Sequence, residues 1–465
     1  MPYYGERAHR LGHVPTINNA EIQRELSLWE ASAAPAFDPE ELEKLCVPVS
    51  ALPGEGLSEA VAEVVTVDGS DAPVEVTVSY PSITVDFTRV ACSILDLEKY
   101  RSAGKGRFVD QATLNTSHRE YTFDVVLPGS GLRAPGLGEL ETWRKTLDRA
   151  FRTTVVNDVS TLTLADALLA MHGAPGSPSP AVLLTTCPTD NCRMFDTGVA
   201  VGPAGTTCPE CGIDIYLSDV FRSHQDYRRS HQAAMTSAMS GMERLAMLGN
   251  IEHMFESETH PENVLRSTLF VADGPLATFG GLGPLKTPTQ NYLDALSGFA
   301  ASRGVVAPLL VGIEKGGEFA DHANMIRDHI PVGNVMLLTR EYHNQVAGRM
   351  SDNEYGDTNY YGRRFLYRTT RGGVLVITVP PKSGVNPYSG DGADDFDSYP
   401  SLRPVCEVLD DLYTYRYENA IIPLVLAHRA ASLPRGVGHV ALRRAAQKIL
   451  GLPYTTQIRQ ANLFS

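Results

Sequence analysis

The stretch Leu269-Phe270-Val271-Ala272-Asp273-Gly274-Pro275-Leu276 is the strongest constraint on how this chain folds. A continuous apolar run of this length reads as a buried sheet strand. It ends on a carboxylate, and a Gly-Pro turn comes at once. The same form stands far upstream in Val64-Val65-Thr66-Val67-Asp68-Gly69-Ser70. Each run is expected to deliver an Asp at a strand end, with Gly permitting the tight turn beside it. Two carboxylates brought together at strand ends suit a divalent-metal phosphodiester site.

The chain has 465 residues, 43% of them hydrophobic, which is ample material for a core and fits two to four domains or one large domain with insertions. No apolar run reaches the ~18 residues that span a bilayer. Met1-Pro2-Tyr3-Tyr4-Gly5-Glu6-Arg7 has no signal-peptide apolar core. The expectation is a soluble, cytoplasmic protein without membrane contact. Seven cysteines, an odd and low number, argue against a disulfide framework. A net charge of −14 argues against non-specific coating of DNA. It does not exclude a nuclease, because local basic patches decide contact with phosphates, and acidity together with a nucleic-acid site would fit a protein that works against a partner handling the DNA.

Residues 1–60 read as an N-terminal arm. It has a helix around Ile22, Leu26 and Trp29, and Pro35, Pro39, Pro48 and Pro53 break up the remainder of the arm. The arm is either a docking segment on the main body or a partner-binding element. Residues 61–172 read as the first part of the main domain. A strand ends at Asp68, and alternating strands come next at 74–78 and 83–90. Asp86 is expected on an exposed face. A further strand lies within 108–127, and a helix covers 139–158 with Leu140, Trp143, Leu147 and Phe151 on one face. A first strand carrying an Asp, followed by antiparallel partners, opens the ribonuclease-H-like fold, and the same pattern opens many antiparallel sheets.

Residues 173–222 form an insertion. After a Gly/Pro/Ser linker come Cys187-Pro188-Thr189-Asp190-Asn191-Cys192 and Cys208-Pro209-Glu210-Cys211-Gly212. Four thiolates in two close pairs suit tetrahedral zinc, and the insertion reads as a zinc-ribbon-like module; four free thiols in a reducing compartment is the other reading. A closed four-Cys site holds shape and does not catalyse. Cys46, Cys92 and Cys406 read as isolated packing residues.

Residues 223–440 carry the second part of the main domain, and 441–465 form a C-terminal tail. A long helix is expected over 223–257, with Met235, Met242, Leu245, Leu248 and Ile251 on its apolar stripe. Glu243 and Glu252 stand on this helix. Each is either solvated or a third carboxylate for the two Asp residues. The run 307–317 is a further strand, with Lys315 at its end as a phosphate contact or a plain surface residue. His322 reads as structural or exposed. Residues 363–368 and 373–381 look like a strand pair. Its Arg363 and Arg364, with Tyr360 and Tyr361, make the best basic-aromatic patch for a DNA backbone. His428 lies on a late helix, Pro423 to Ala431.

Four blocks in this order resemble the NurA nucleases: Val67-Asp68-Gly69-Ser70, Ala272-Asp273-Gly274-Pro275-Leu276, Gly312-Ile313-Glu314-Lys315 and Leu426-Ala427-His428-Arg429-Ala430. The resemblance spans about residues 60 to 435. It implies an α/β architecture, a ribonuclease-H-like mixed sheet flanked by helices. It implies a homodimeric deoxyribonuclease dependent on Mn2+ or Mg2+, working with a HerA-type hexameric ATPase that translocates DNA in end processing or defence against foreign DNA. Residue by residue, Asp68 and Asp273 match the two strand metal ligands and Glu243 the helix carboxylate, with Glu252 as runner-up. His428 matches the late His, and Lys315 a strand-end Lys. Tyr399 or Tyr417 fills the family's Tyr position. The four cysteines, Cys187, Cys192, Cys208 and Cys211, add a structural Zn2+ outside the minimal family pattern. The competing reading from another class is a non-catalytic adaptor of an ATPase complex that uses its zinc module for recognition.

Overall fold

The computed structural model describes residues 13–29, 39–54, 56, 58–77, 82–103, 116–189, 192, 198–346, 359–390, 392–415, 419–433 and 436–452. Tyr417 and the start of the strand expected within 108–127 lie outside this set.

The chain builds thirteen strands among the described residues. They are β1 (Cys46–Pro48), β2 (Glu63–Glu75), β3 (Thr84–Asp96), β4 (His118–Pro128), β5 (Val182–Leu184), β6 (Val199–Val201), β7 (Thr206–Thr207), β8 (Asp214–Ile215), β9 (Thr268–Asp273), β10 (Leu309–Glu314), β11 (Asn334–Leu337), β12 (Arg363–Arg368) and β13 (Val374–Val379). Nine of them form one mixed sheet in the order β1-β11-β12-β13-β10-β9-β2-β3-β4. The strands β2, β9 and β10 are parallel neighbours at its centre, and every other pairing is antiparallel. The run β4-β3-β2-β9-β10 therefore has an antiparallel meander with two parallel strands added beside its first member. That is the ribonuclease-H-like order, extended here by β13, β12, β11 and β1.

The sheet is covered on both faces, which explains why its central strands are apolar along their whole length. Alternation decides which residue goes where. Val65, Val67 and Phe270 enter the core beneath the helices Glu139–Thr153, Leu164–Met171, His231–Ser257 and Lys286–Ser302. Their neighbours Val64, Leu269 and Val271 join the opposite core with Leu402–Leu412 and the residues Ile421 and Leu424. Leu366, Val374 and Val376 pack under the helices Glu318–Ile326 and Arg340–Val346.

Three expectations change. The helix expected over 223–257 is two helices, Ser223–Arg229 and His231–Ser257, separated by Ser230 in an extended conformation (φ −162°, ψ 124°). The strand carrying Asp68 does not stop there. Its parallel pairing with β9 ends at Val67–Ala272, but its antiparallel pairing with β3 runs on to Glu75. Gly69 thus lies inside a strand and makes no turn. Asp86, expected on an exposed face, is fully buried: its Oδ2 accepts from Thr88 Oγ1 at 2.8 Å. Burial pushes its carboxyl up to about 7. The alternation holds, but helices cover this face too, so polarity along the strand is no guide to exposure.

The cysteine-bearing segment adds two small antiparallel pairs, β5 with β6 and β7 with β8. Cys187, Cys208, Val182, Leu184, Val201 and Ile215 belong to the same apolar cluster as Trp143 and Met242. No helix among the described residues is long and apolar enough to cross a membrane.

Candidate active site and four-cysteine cluster

The parallel register Val67–Ala272 places the next residues, Asp68 and Asp273, side by side where β2 and β9 part. Asp273 is the last residue of β9, and Gly274 turns the chain away at φ +90°, a conformation that suits glycine. Ile313 of β10 pairs with Asp273, so Lys315 comes just beyond the end of that strand. Its Nζ meets Asp273 Oδ2 at 2.5 Å. Late in the chain, the helix Ile422–Ala431 crosses β2 and β3 and brings His428 in, with Nδ1 2.9 Å from Asp68 Oδ2. The other Asp68 oxygen, Oδ1, accepts from the Gly69 N–H at 2.9 Å. Asp68 is 5% exposed, whereas the His428 side chain is 65% exposed.

Glu243 comes from the helix His231–Ser257 on one face of the sheet. It reaches the strand ends across Gly69: a Cβ at position 69 would stand 2.7 Å from Glu243 Oε1 and 3.0 Å from its Cγ. Burial pushes the Glu243 carboxyl up to about 8. Arg244 pulls it down, and the Asp68 and Asp273 charges push it further up. Asp68 is raised as well, by burial first and then by Asp273, against the pull of Lys315 and His428. The three carboxyls therefore feel one another through a partly dry medium. Glu252, the other carboxylate of this helix, lies away from the cluster. It is buried and accepts from Tyr292 Oη at 2.7 Å and from the Gly176 N–H at 3.0 Å.

Two contributors are not legible as such in the sequence. Gly69, expected as a turn residue, is instead the gap through which Glu243 approaches. Arg244 donates from Nε (3.0 Å) and Nη2 (2.5 Å) to the Ala277 carbonyl, tying the turn after Asp273 to the helix that carries Glu243. No spacing signal marks a side chain that binds a main-chain oxygen.

The basic-aromatic patch is not a surface. Arg363 and Arg364 are 0% and 1% exposed, and Tyr360 and Tyr361 are buried. Arg364 makes a bidentate pair with Glu314 (2.6 and 3.0 Å), and Arg363 donates to the carbonyls of Pro387 and Leu338 and to Asp394. These cations hold strand ends together and do not face a DNA backbone. Lys315 lies partly exposed at the cluster. His322 is buried against Tyr342, and burial lowers it to about 4. Tyr399 is buried and donates to the Ala393 carbonyl at 2.7 Å.

The cysteines converge. Cys187 and Cys211 sulfurs are 3.7 Å apart, Cys192 and Cys208 sulfurs 3.6 Å, and all four lie within 4.8 Å of one another. Zinc bonds of ~2.3 Å in a tetrahedron put sulfurs about 3.8 Å apart, so the cluster fits zinc. The Ile213 N–H aimed at Cys211 pulls that thiol down to about 7. Among the described residues this is the one set of three or more metal-type donors drawn so close. Asp68, Glu243 and Asp273 do not form such a set.

No family model matches this sequence, and no curated protein matches it. Among solved structures, the chain is similar to the NurA nuclease from Sulfolobus solfataricus, with 8% identity and a TM-score of 0.32 over 96% of this chain and 98% of that one. It is similar to a second NurA structure at 8% identity and a TM-score of 0.28, over 95% and 96% of the two chains.

Proposed function

We propose that this chain is a NurA-like deoxyribonuclease that hydrolyses phosphodiester bonds with the help of Mn2+ or Mg2+. One observation carries the reading: Asp68 and Asp273 stand side by side at adjacent parallel strands, and Glu243 reaches them through the gap left by Gly69. Three carboxylates brought to the ends of two adjacent strands offer the oxygen donors that hard divalent cations take. Burial raises the Asp68 and Glu243 carboxyls, the neighbouring carboxylates add to it, and a bound cation would offset both.

In this reading Asp68, Glu243 and Asp273 hold one or two cations. When bound, the cations supply an activated water and stabilise the leaving oxygen of an in-line displacement. Glu243, raised to about 8, would hold a cation only as the ionised carboxylate. Lys315 neutralises a non-bridging phosphate oxygen beside Asp273. His428 is anchored through Nδ1 on Asp68, which leaves the outer part of its exposed ring to carry a proton to or from solvent.

The four-cysteine cluster serves as a structural zinc site. The charge of −14 supports a division of labour in which a HerA-type hexameric ATPase moves the DNA and a homodimer of this chain cuts it, in end processing or in defence.

Incubation of the purified chain with single- and double-stranded DNA tests the reading. Cleavage is expected with Mn2+ or Mg2+ and not with chelator. Asp273→Asn is expected to lower the rate by about 10^2- to 10^3-fold or more while leaving fold and zinc content intact. Wild-type rates in that variant overturn the site assignment. A folded wild-type chain that never cuts, yet binds an ATPase ring, favours the adaptor reading.

A further inference from the structure

A groove of about 580 Å³ leads away from the carboxylates along the first half of the helix His231–Ser257. Its walls include Asp226, Gln232, Ser237, Ser240, Arg244 and Phe279. Arg244 also borders the cavity that contains Glu243 and Asp273, so the groove and the cluster adjoin. From Ser230 to Arg244 the helix rises roughly 20 Å, room for several nucleotides of an extended strand.

The groove is not built for phosphates. Arg244 is committed to the Ala277 carbonyl, and two carboxylates stand near: Asp226 in the wall, and Asp71, which accepts from Gln232 Nε2 at 2.7 Å. What it offers is an aromatic ring and neutral hydrogen-bonding groups. Phe279 is 47% exposed, a large apolar side chain left in a polar groove. Its ring is steadied edge-on against buried Tyr360, with centroids 5.7 Å apart and planes at 85°. Ser230 and Ser240 line the same groove. An aromatic platform with carboxylate, amide and hydroxyl groups around it matches the faces and edges of nucleobases. Those faces are open only in an unpaired strand.

We propose that this groove is a nucleobase subsite for a single strand leading to the carboxylates, with Phe279 as its stacking platform. The proposal rests on the nuclease reading above and names which form of DNA the cluster receives. Asp226 and Gln232 face base edges, and the phosphates run on the open side.

Binding of labelled strands by the full, zinc-loaded chain with no Mn2+ or Mg2+ added tests it, because no cleavage is needed for the signal. Three probes of equal length serve: oligo-dT, an abasic strand and a blunt duplex. Phe279→Ala is expected to weaken oligo-dT binding by about 5- to 150-fold and to leave the abasic strand and the duplex unchanged. Phe279→Leu keeps the apolar contact with Tyr360 and is expected to show the same loss, whereas Phe279→Trp retains affinity. Equal losses on the abasic strand, or none on oligo-dT, overturn the subsite. Cleavage with Mn2+ separates the two readings. A wild-type chain that cuts while Phe279→Ala binds oligo-dT normally removes the subsite alone. A wild-type chain that shows the stacking signature and never cuts removes the nuclease reading and keeps the subsite.

Discussion

Gly69 and Glu243 touch in a way that no other residue at position 69 would allow. The Glu243 carboxylate occupies the space of the missing side chain, with Oε1 2.7 Å from where a Cβ would be. One residue belongs to a central strand and the other to the long helix that covers it, and their contact completes the carboxylate cluster.

Gly69→Ala is therefore expected to displace Glu243 without unfolding the chain. Metal affinity, read by titration of Mn2+ against activity, should fall by about 10- to 100-fold, the loss usual when a ligand's support is removed. Unchanged Mn2+ affinity would detach Glu243 from the cluster.

The four-cysteine cluster shares its apolar core with Trp143 and Met242. Stripping zinc, or replacing Cys187 and Cys208 with Ser, is expected to cost on the order of several kcal/mol and to lower the melting temperature of the whole chain. Zinc content by elemental analysis, tracked through the melt, checks this. An unshifted melt after complete zinc loss would show that the thiols hold the fold without metal.

Asp86 makes stability depend on pH in a stated direction. Its carboxyl is raised from 3.8 to about 7 by burial. Between these values the folded state binds more protons than the unfolded one, so its contribution to stability is full below about pH 4 and is lost as pH rises through 7. Asp86→Asn should remove a slope worth on the order of a few kcal/mol, making the variant more stable than wild type at pH 8 and not at pH 4. Denaturant melts at the two pH values measure it, and parallel curves for both proteins would contradict it.

Arg364 separates a structural cation from a DNA contact. It is 1% exposed and pairs with Glu314. Arg364→Ala leaves a buried carboxylate uncompensated and is expected to cost about 3–5 kcal/mol of stability. The salt dependence of DNA binding by the folded fraction should not change. A reduced salt slope would return this residue to the DNA surface.

The sequence by itself determined the parts that depend on local pattern. Apolar runs ending in Asp68 and Asp273 mark strands, because a strand covered on both faces must be apolar throughout. Two close cysteine pairs mark one four-thiol cluster, because their spacing brings the sulfurs together over a short chain distance. The α/β class with a mixed sheet and flanking helices was an expectation from the resemblance carried by four blocks in order, and the nine-stranded sheet agrees with it. Only the tertiary structure decided what depends on which faces meet. It separated Glu243 from Glu252, two residues of one helix with similar claims in sequence, because only Glu243 lies over the gap at Gly69. It buried Asp86, Arg363 and Arg364, since helices cover both faces of the sheet and strand alternation records a face but not its cover. It also joined His428 to Asp68, residues from opposite ends of the chain whose meeting no local pattern encodes.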